Sequence, residues 1–276
     1  MWARVLGSAA GGGSPQWNCN CPVCTAVRSG AGRPRTQSSL AVGLDRRDWF
    51  LFNASPDVRT QVEVFDGRPP QAVLLTDAEL DHTLGLLLLR EARELRLYAT
   101  PAVHKTLRDG SGLLPLLERY CDVEWRPVEP GIPFGLTEGL TCRAFDVPTT
   151  KEDRFGAGVD YGRVVGYRLT DERTGGTLVY LPGAQTLPLA ELEDCDCLLV
   201  DGSFFRDDEL GSRTSLSMGH LPIESSLPQL RALGAPRTIF VHLNNTNPIL
   251  LDDTPERRVV EDSGLEVAMD GLEVEL

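Results

Sequence analysis

A chain of 276 residues that is 41% hydrophobic, with no low-complexity run or charge block long enough for a linker, has the size to bury one large core and reads as a single domain over residues 1–276. The formal net charge of −13 and pI near 4.8 exclude the basic footprint that nucleic acid requires and disfavour an anionic membrane surface. No apolar run approaches a membrane span, residues 1–6 are too short for a signal peptide, and seven cysteines, an odd count, make no disulfide framework.

In chain order, short strands are predicted over 2–6, 40–44, 49–53, 71–76 and 95–99, with helices over 56–65, 82–93 and 101–108. The second half repeats the style, with strands over 140–147, 164–169, 177–181, 197–201, 237–242 and 265–268 and helices over 222–233 and 254–263. Asp270-Gly271 is expected to make a hairpin turn into residues 272–276. The periods indicate a mixed α/β fold. Cys121, Cys142, Cys195 and Cys197 read as reduced core or near-surface thiols. His104, between polar neighbours Lys105 and Arg108, reads as a solvated surface residue.

Two segments carry chemistry. The first follows Gly11-Gly12-Gly13 and places Cys19, Cys21 and Cys24 within six residues. Three thiolates at this spacing suit a structural Zn(II) that orders a Cys-rich loop at 17–25, while a redox Cys-x-x-Cys pair is the competing reading. The second is Thr76-Asp77-Ala78-Glu79-Leu80-Asp81-His82, a polar turn between a buried strand and a leucine-rich helix. Acidic residues there also suit a solvated helix start, because carboxylates are favourable at a helix N-terminus.

This turn resembles the His-x-His-x-Asp-His signature of the metallo-β-lactamase superfamily, with Asp77 and Glu79 standing where the first two histidines belong. The run Thr238-Ile239-Phe240-Val241-His242 resembles the strand that ends in the superfamily's last metal histidine. The resemblance implies a four-layer αββα sandwich and a metal site reduced to Asp81, His82 and His242. Two imidazoles and one carboxylate have the composition of the facial triad of non-heme Fe(II) oxygenases, and the second metal's clamp is missing. Ala184 stands where the relatives carry a bridging Asp. Asp77 and Glu79 are expected either to hold a ligating imidazole from behind or to form a solvated acidic turn. Asp201 and His220 match the relatives' acid and loop histidine near the catalytic centre, and read either as a proton-handling pair or as a loop anchor.

A narrower resemblance rests on Gln16-Trp17-Asn18-Cys19-Asn20-Cys21-Pro22, Arg35-Thr36-Gln37-Ser38-Ser39, Asn53-Ala54-Ser55-Pro56-Asp57 and His242-Leu243-Asn244-Asn245-Thr246-Asn247-Pro248. Together these are similar to the B-protein family of pyrroloquinoline quinone (PQQ) biosynthesis, nearly end to end. The loop at 149–162 departs from it, looking shortened and lacking a histidine. The resemblance implies iron- and dioxygen-dependent hydroxylation of the tyrosine ring in a Glu-Tyr precursor. The alternatives are a non-catalytic carrier of PQQ or its precursor toward the periplasm and a zinc hydrolase. It also implies a bacterial cytoplasmic location, with Arg35, Gln37, Ser38 and Asn53 as substrate-binding residues. In a related phosphodiesterase of phosphonate breakdown, a histidine three residues beyond the last catalytic one completes the thiol site; here that position is Asn245, with water or a carboxylate as the other option. A homo-oligomer is compatible with the reading.

Overall fold

The computed structural model describes residues 1–155, 158 and 161–276, so part of the 149–162 loop lies outside the described residues. Two seven-stranded sheets face one another. The first contains β1 (Trp2–Gly7), β2 (Ser39–Gly43), β3 (Trp49–Phe52), β4 (Val73–Leu74), β5 (Glu94–Ala99) and β6 (Asp122–Pro127). The second contains β7 (Pro133–Thr137), β8 (Leu140–Asp146), β9 (Val165–Asp171), β10 (Thr177–Leu181), β11 (Cys197–Asp201), β12 (Arg237–Val241) and β13 (Glu266–Val267). The last strand, β14 (Glu273–Glu275), returns to the first sheet beside β1, giving the orders β14-β1-β2-β3-β4-β5-β6 and β13-β12-β11-β10-β9-β8-β7.

Strand alternation explains the layering. Successive side chains point to opposite faces, so β1 sends Ala3 and Val5 between the sheets and Trp2 and Leu6 to the outer face. Likewise Ile239 and Val241 enter the central core, with Phe52, Leu74, Tyr167 and Leu199, while Phe240 faces outward. The outer faces are covered by the short helices α1 (Pro22–Arg28), α2 (Val58–Gln61), α3 (Leu80–Thr83), α4 (Pro101–Lys105), α5 (Leu113–Leu117) and α6 (Leu189–Leu192), and by α7 (Ile223–Leu233) and α8 (Pro255–Asp262). The result is the αββα sandwich expected from the sequence. Among the described residues no helix is long and apolar enough to cross a membrane.

Several local expectations differ. The helix predicted over 82–93 stops at Thr83 and continues as a 3₁₀ segment over Leu84–Leu89. There Gly85 donates its N–H to Ala54 O at 2.9 Å, a partner outside the helix. Edge strands β6 and β7 escaped the sequence reading because half-exposed edges lack a clean apolar alternation. Asp270-Gly271 is a turn but not a hairpin: Leu272 N donates to Met269 O at 3.0 Å, yet the turn carries the chain from β13 in one sheet to β14 in the other. His104 is half-buried and not a freely solvated surface residue. Its ring stacks on Trp125 with centroids 3.8 Å apart, and burial lowers its pKa.

Candidate metal centre

The site lies beyond the carboxyl ends of the parallel strands β4, β11 and β12, where an open sheet leaves a crevice for ligands. After β4 the chain turns through Thr76 and Asp77 into α3, which carries Asp81 and His82. β12 ends at Val241, and His242 follows it with a φ of 57°, left-handed and uncommon for a residue with a Cβ. That backbone turn presents the imidazole toward α3, and the His82 and His242 ring centroids are 5.0 Å apart.

One donor atom from each of Asp81, His82 and His242 lies within 4.8 Å of the other two. Asp81 Oδ2 is 3.3 Å from His242 Nε2 and 3.9 Å from His82 Nε2. His82 Nε2 is buried and has no hydrogen-bond partner among the described residues. An unpaired buried imidazole nitrogen is costly unless a ligand completes it, so this donor set fits a divalent cation. Burial raises the pKa of the Asp81 carboxyl, but the flanking imidazoles outweigh it and hold the group well below the usual range. Burial lowers the pKa of His242, which favours the neutral imidazole that a ligand must be, although Asp81 opposes it.

Both histidines are fixed from behind. The Asp77 oxygens lie 2.8 and 2.9 Å from His82 Nδ1, which puts the proton on Nδ1 and leaves Nε2 free. Asp77 is buried, so it is no solvated turn residue; burial opposes its ionisation, yet His82 holds its pKa down to about 2. Glu79 does not share this role. From the residue just before α3, its carboxylate pairs with Lys151 Nζ at 2.9 Å.

Behind His242 stands Ser203, which the sequence reading missed. Its hydroxyl donates to Asp201 Oδ1 at 2.7 Å and is 2.8 Å from His242 Nδ1 and 3.0 Å from His220 Nδ1. With the hydroxyl hydrogen committed to Asp201, Ser203 Oγ accepts from His242 Nδ1, and His242 Nε2 is left for a cation. Asp201 Oδ2 takes His220 Nδ1 directly at 2.6 Å and the Ala184 N–H at 3.0 Å. Asp201, His220 and His242 also form a compact trio, but the Ser203 hydroxyl hydrogen-bonds to all three members. That trio is an orienting network, not a second cation site. A signal for Ser203 existed in its position, two residues past Asp201 at the end of β11. Gly11 was missed as well: a Cβ there would sit 3.2 Å from Asp81 Oδ2, so the glycine-rich segment is drawn tight against the site.

The cluster opens into a cavity of about 220 Å³ lined by His82, His220, His242, Ala184, Lys151 and Phe155, among others. Arg35, Gln37, Ser38 and Asn53 do not line it, which corrects their expected contact with substrate. Arg35 is buried against Ser8 Oγ and Ala268 O. Gln37 bonds to Gly12 N and Asp57, and Ser38 to the Tyr180 hydroxyl. Asn53, in the left-handed region at φ 60°, clamps Thr76 through N and Oγ1, so it braces the ligand turn from below.

The thiols of Cys19, Cys21 and Cys24 also converge within 4.8 Å. Asn245 joins them, donating from Nδ2 to Cys24 Sγ at 3.2 Å and offering its carbonyl to Cys21 and Cys24. Cys21 caps α1 and Cys24 lies in its first turn, so the Cys-x-x-Cys does open a helix, contrary to the looser loop expected over 17–25. All seven cysteines are free thiols.

Residues 48–243 match the sequence profile of the β-lactamase superfamily domain. The chain is 39% identical over 307 residues to coenzyme PQQ synthesis protein B of Azotobacter vinelandii, with 100% of each covered. For the protein of that name in Cupriavidus necator the identity is 41% over 303 residues, 99% of each. Among solved structures, Zn(2+)-bound PqqB from Methylobacterium extorquens superposes with a TM-score of 0.90 at 35% identity and full coverage of both chains. A diphosphatase of the PhnP family shares the fold, with a TM-score of 0.76 at 22% identity over 100% of this chain and 97% of that one. The chain belongs to the coenzyme PQQ synthesis protein B family of the β-lactamase superfamily, and PQQ biosynthesis is its setting.

Proposed function

We propose that the chain hydroxylates the tyrosine ring of a Glu-Tyr precursor in PQQ biosynthesis, using Fe(II) held by Asp81, His82 and His242 with dioxygen and two electrons from an external reductant, one oxygen atom entering the ring and the other leaving as water. The observation that carries this reading is the unpaired, buried His82 Nε2 facing one carboxylate and one further imidazole. Two imidazoles and a carboxylate on one side of a cation leave positions open, as non-heme iron oxygenases require. Fe(II) would supply the activation of dioxygen. The protein's own groups do the rest. Asp77 and Ser203 hold the two imidazoles in the ligating tautomer, and the cavity beside them would receive the ring. His220, its Nδ1 proton pinned by Asp201, keeps its other nitrogen to take the proton that the ring loses when the new hydroxyl forms.

The residues that stand where the superfamily's first metal pair and bridging aspartate belong argue against a two-metal hydrolase. Asp77 and Glu79 are engaged by His82 and Lys151, and Ala184 offers only a backbone N–H. For Cys19, Cys21 and Cys24 we propose a structural Zn(II), with Asn245 beside it as the candidate fourth donor.

The test is anaerobic reconstitution with Fe(II) or Zn(II), exposure to air with a Glu-Tyr peptide and a reductant such as ascorbate, and mass analysis of the product. Added oxygen that requires both Fe(II) and His242 supports the oxygenase. An unchanged peptide under every metal, with tight binding of PQQ, would overturn it in favour of a carrier.

A further inference from the structure

Only two of the 27 basic residues in this sequence are lysines, Lys105 and Lys151, and Lys151 stands in the cavity wall. The segment between β8 and β9 brings it there together with Arg154 and Arg163. The Lys151 ammonium lies 2.9 Å from Glu79 Oε1, and Glu79 precedes Asp81 by two residues. Its stem packs on the turn before His220: a Cβ on Gly219 would come within 3.0 Å of Lys151 Cδ, and the φ of 95° there also favours glycine. Arg163 Nη2 donates to the Lys151 carbonyl at 2.6 Å and anchors the backbone. Lys151 therefore reaches from the His220 turn to the ligand turn, across the wall of the cavity that holds the metal cluster.

The ion pair is poorly explained as a stabilising contact. The Lys151 and Glu79 side chains keep 20% and 38% of their exposure, and pairs in contact with solvent contribute little. In a chain of net charge −13, a cation at this cavity opposes the general field of the protein. A lysine also suits exchange between partners, since it is a point charge on a flexible stem where arginine would clamp in a fixed fork.

We infer that Lys151 docks a carboxylate of the substrate, and that Glu79 holds the ammonium in position until that carboxylate displaces it. The inference rests on the proposed substrate, a Glu-Tyr derivative, which carries two carboxylates. It makes Lys151 a specificity residue and Glu79 an internal competitor, so the two substitutions should act in opposite directions.

The experiment is equilibrium binding of Glu-Tyr and of Gln-Tyr amide, which has neither carboxylate, to the Zn(II)-loaded protein, where no oxidation interferes. Lys151→Met should weaken Glu-Tyr by about 10- to 100-fold, the range for losing a charge-assisted hydrogen bond, and leave Gln-Tyr amide unchanged. Glu79→Gln should tighten Glu-Tyr several-fold, and most of that gain should vanish in the Lys151→Met background, which separates release of the lysine from simple relief of repulsion. Equal weakening of both ligands by Lys151→Met, or weaker Glu-Tyr binding in Glu79→Gln, would overturn the inference. Carboxylate-selective binding without oxygen incorporation would refute the proposed reaction and spare the docking role. Hydroxylation with no selectivity change in Lys151→Met would do the reverse, and no binding of Glu-Tyr to the native protein would sink both.

Discussion

Asp77→Asn exchanges the carboxylate behind His82 for an amide of the same shape, and its effect on metal binding should depend strongly on pH. In the native protein burial lowers the pKa of His82, but Asp77 and Asp81 override it and raise the metal-free imidazole to about 9. A cation must displace that proton, so affinity should climb about tenfold per pH unit below that value and level off above it. At pH 7 the competition costs about 100-fold, or ~2.7 kcal/mol. Asparagine removes the larger of the two charges, so His82 titrates lower and the competition shrinks. It also loosens the tautomer, and losing such a partner typically costs about 10- to 100-fold in affinity, ~1.4–2.7 kcal/mol. The two effects oppose each other near neutrality, and only the loss survives at high pH. The gap between native and variant affinities should therefore widen from pH 7 to pH 9.5 in a competition titration with a chromophoric chelator. Parallel curves would refute the assignment of Asp77 as the group that sets His82. The metal-free protein should show the same coupling in its stability. A raised histidine pKa gives stability that is complete below the unfolded value of about 6.5 and is lost as pH rises through about 9. Asp77→Asn should flatten that slope in chemical denaturation.

Ser203→Ala should lower metal affinity about tenfold at all pH values, because His242 loses the acceptor that fixes its Nδ1 proton; an unchanged Co(II) absorption spectrum in this variant would count against the relay from Asp201. Cys19→Ser should remove one equivalent of zinc by elemental analysis and lower the melting temperature, while iron loading at Asp81, His82 and His242 persists; full zinc retention would contradict the thiol site. Asn53→Ala should destabilise the fold by about 1–3 kcal/mol, since the buried Thr76 N–H loses its acceptor and alanine must adopt a left-handed backbone. A denaturation midpoint within error of the native protein would refute its bracing role.

The donors of the metal centre were legible from the sequence because their signal is local. Asp81-His82 sits in a strand-turn-helix unit, and His242 ends an apolar strand, so each announces itself within a few residues. Arg35, Gln37, Ser38 and Asn53 were misjudged for the opposite reason. Polarity in a loop identifies a group that needs partners, and only the fold shows that those partners are Ala268, Asp57, Tyr180 and Thr76 and not a ligand. Ser203 and Lys151 were invisible because their meaning is relational. Ser203 matters through His242, 39 positions away, and Lys151 through Glu79 on another element.

The exchange of a histidine for Asp77 is more than the deletion of a ligand. A histidine at that position would offer a ring nitrogen to a metal; the aspartate instead accepts a hydrogen bond from the one imidazole that remains on its turn. The carboxylate of Asp77 fixes the tautomer of His82 and shields its Nδ1, which would strengthen a site that uses Nε2. On the opposite wall Ser203 does for His242 what Asp77 does for His82, with Asp201 supplying the charge through a hydroxyl. Asp81, His82 and His242 would hold the cation, and all three line the same cavity as Lys151 and His220. The support from Asp77 is what Asp77→Asn measures: if the carboxylate were merely a relic of a lost ligand, the remaining site would bind metal equally well without it.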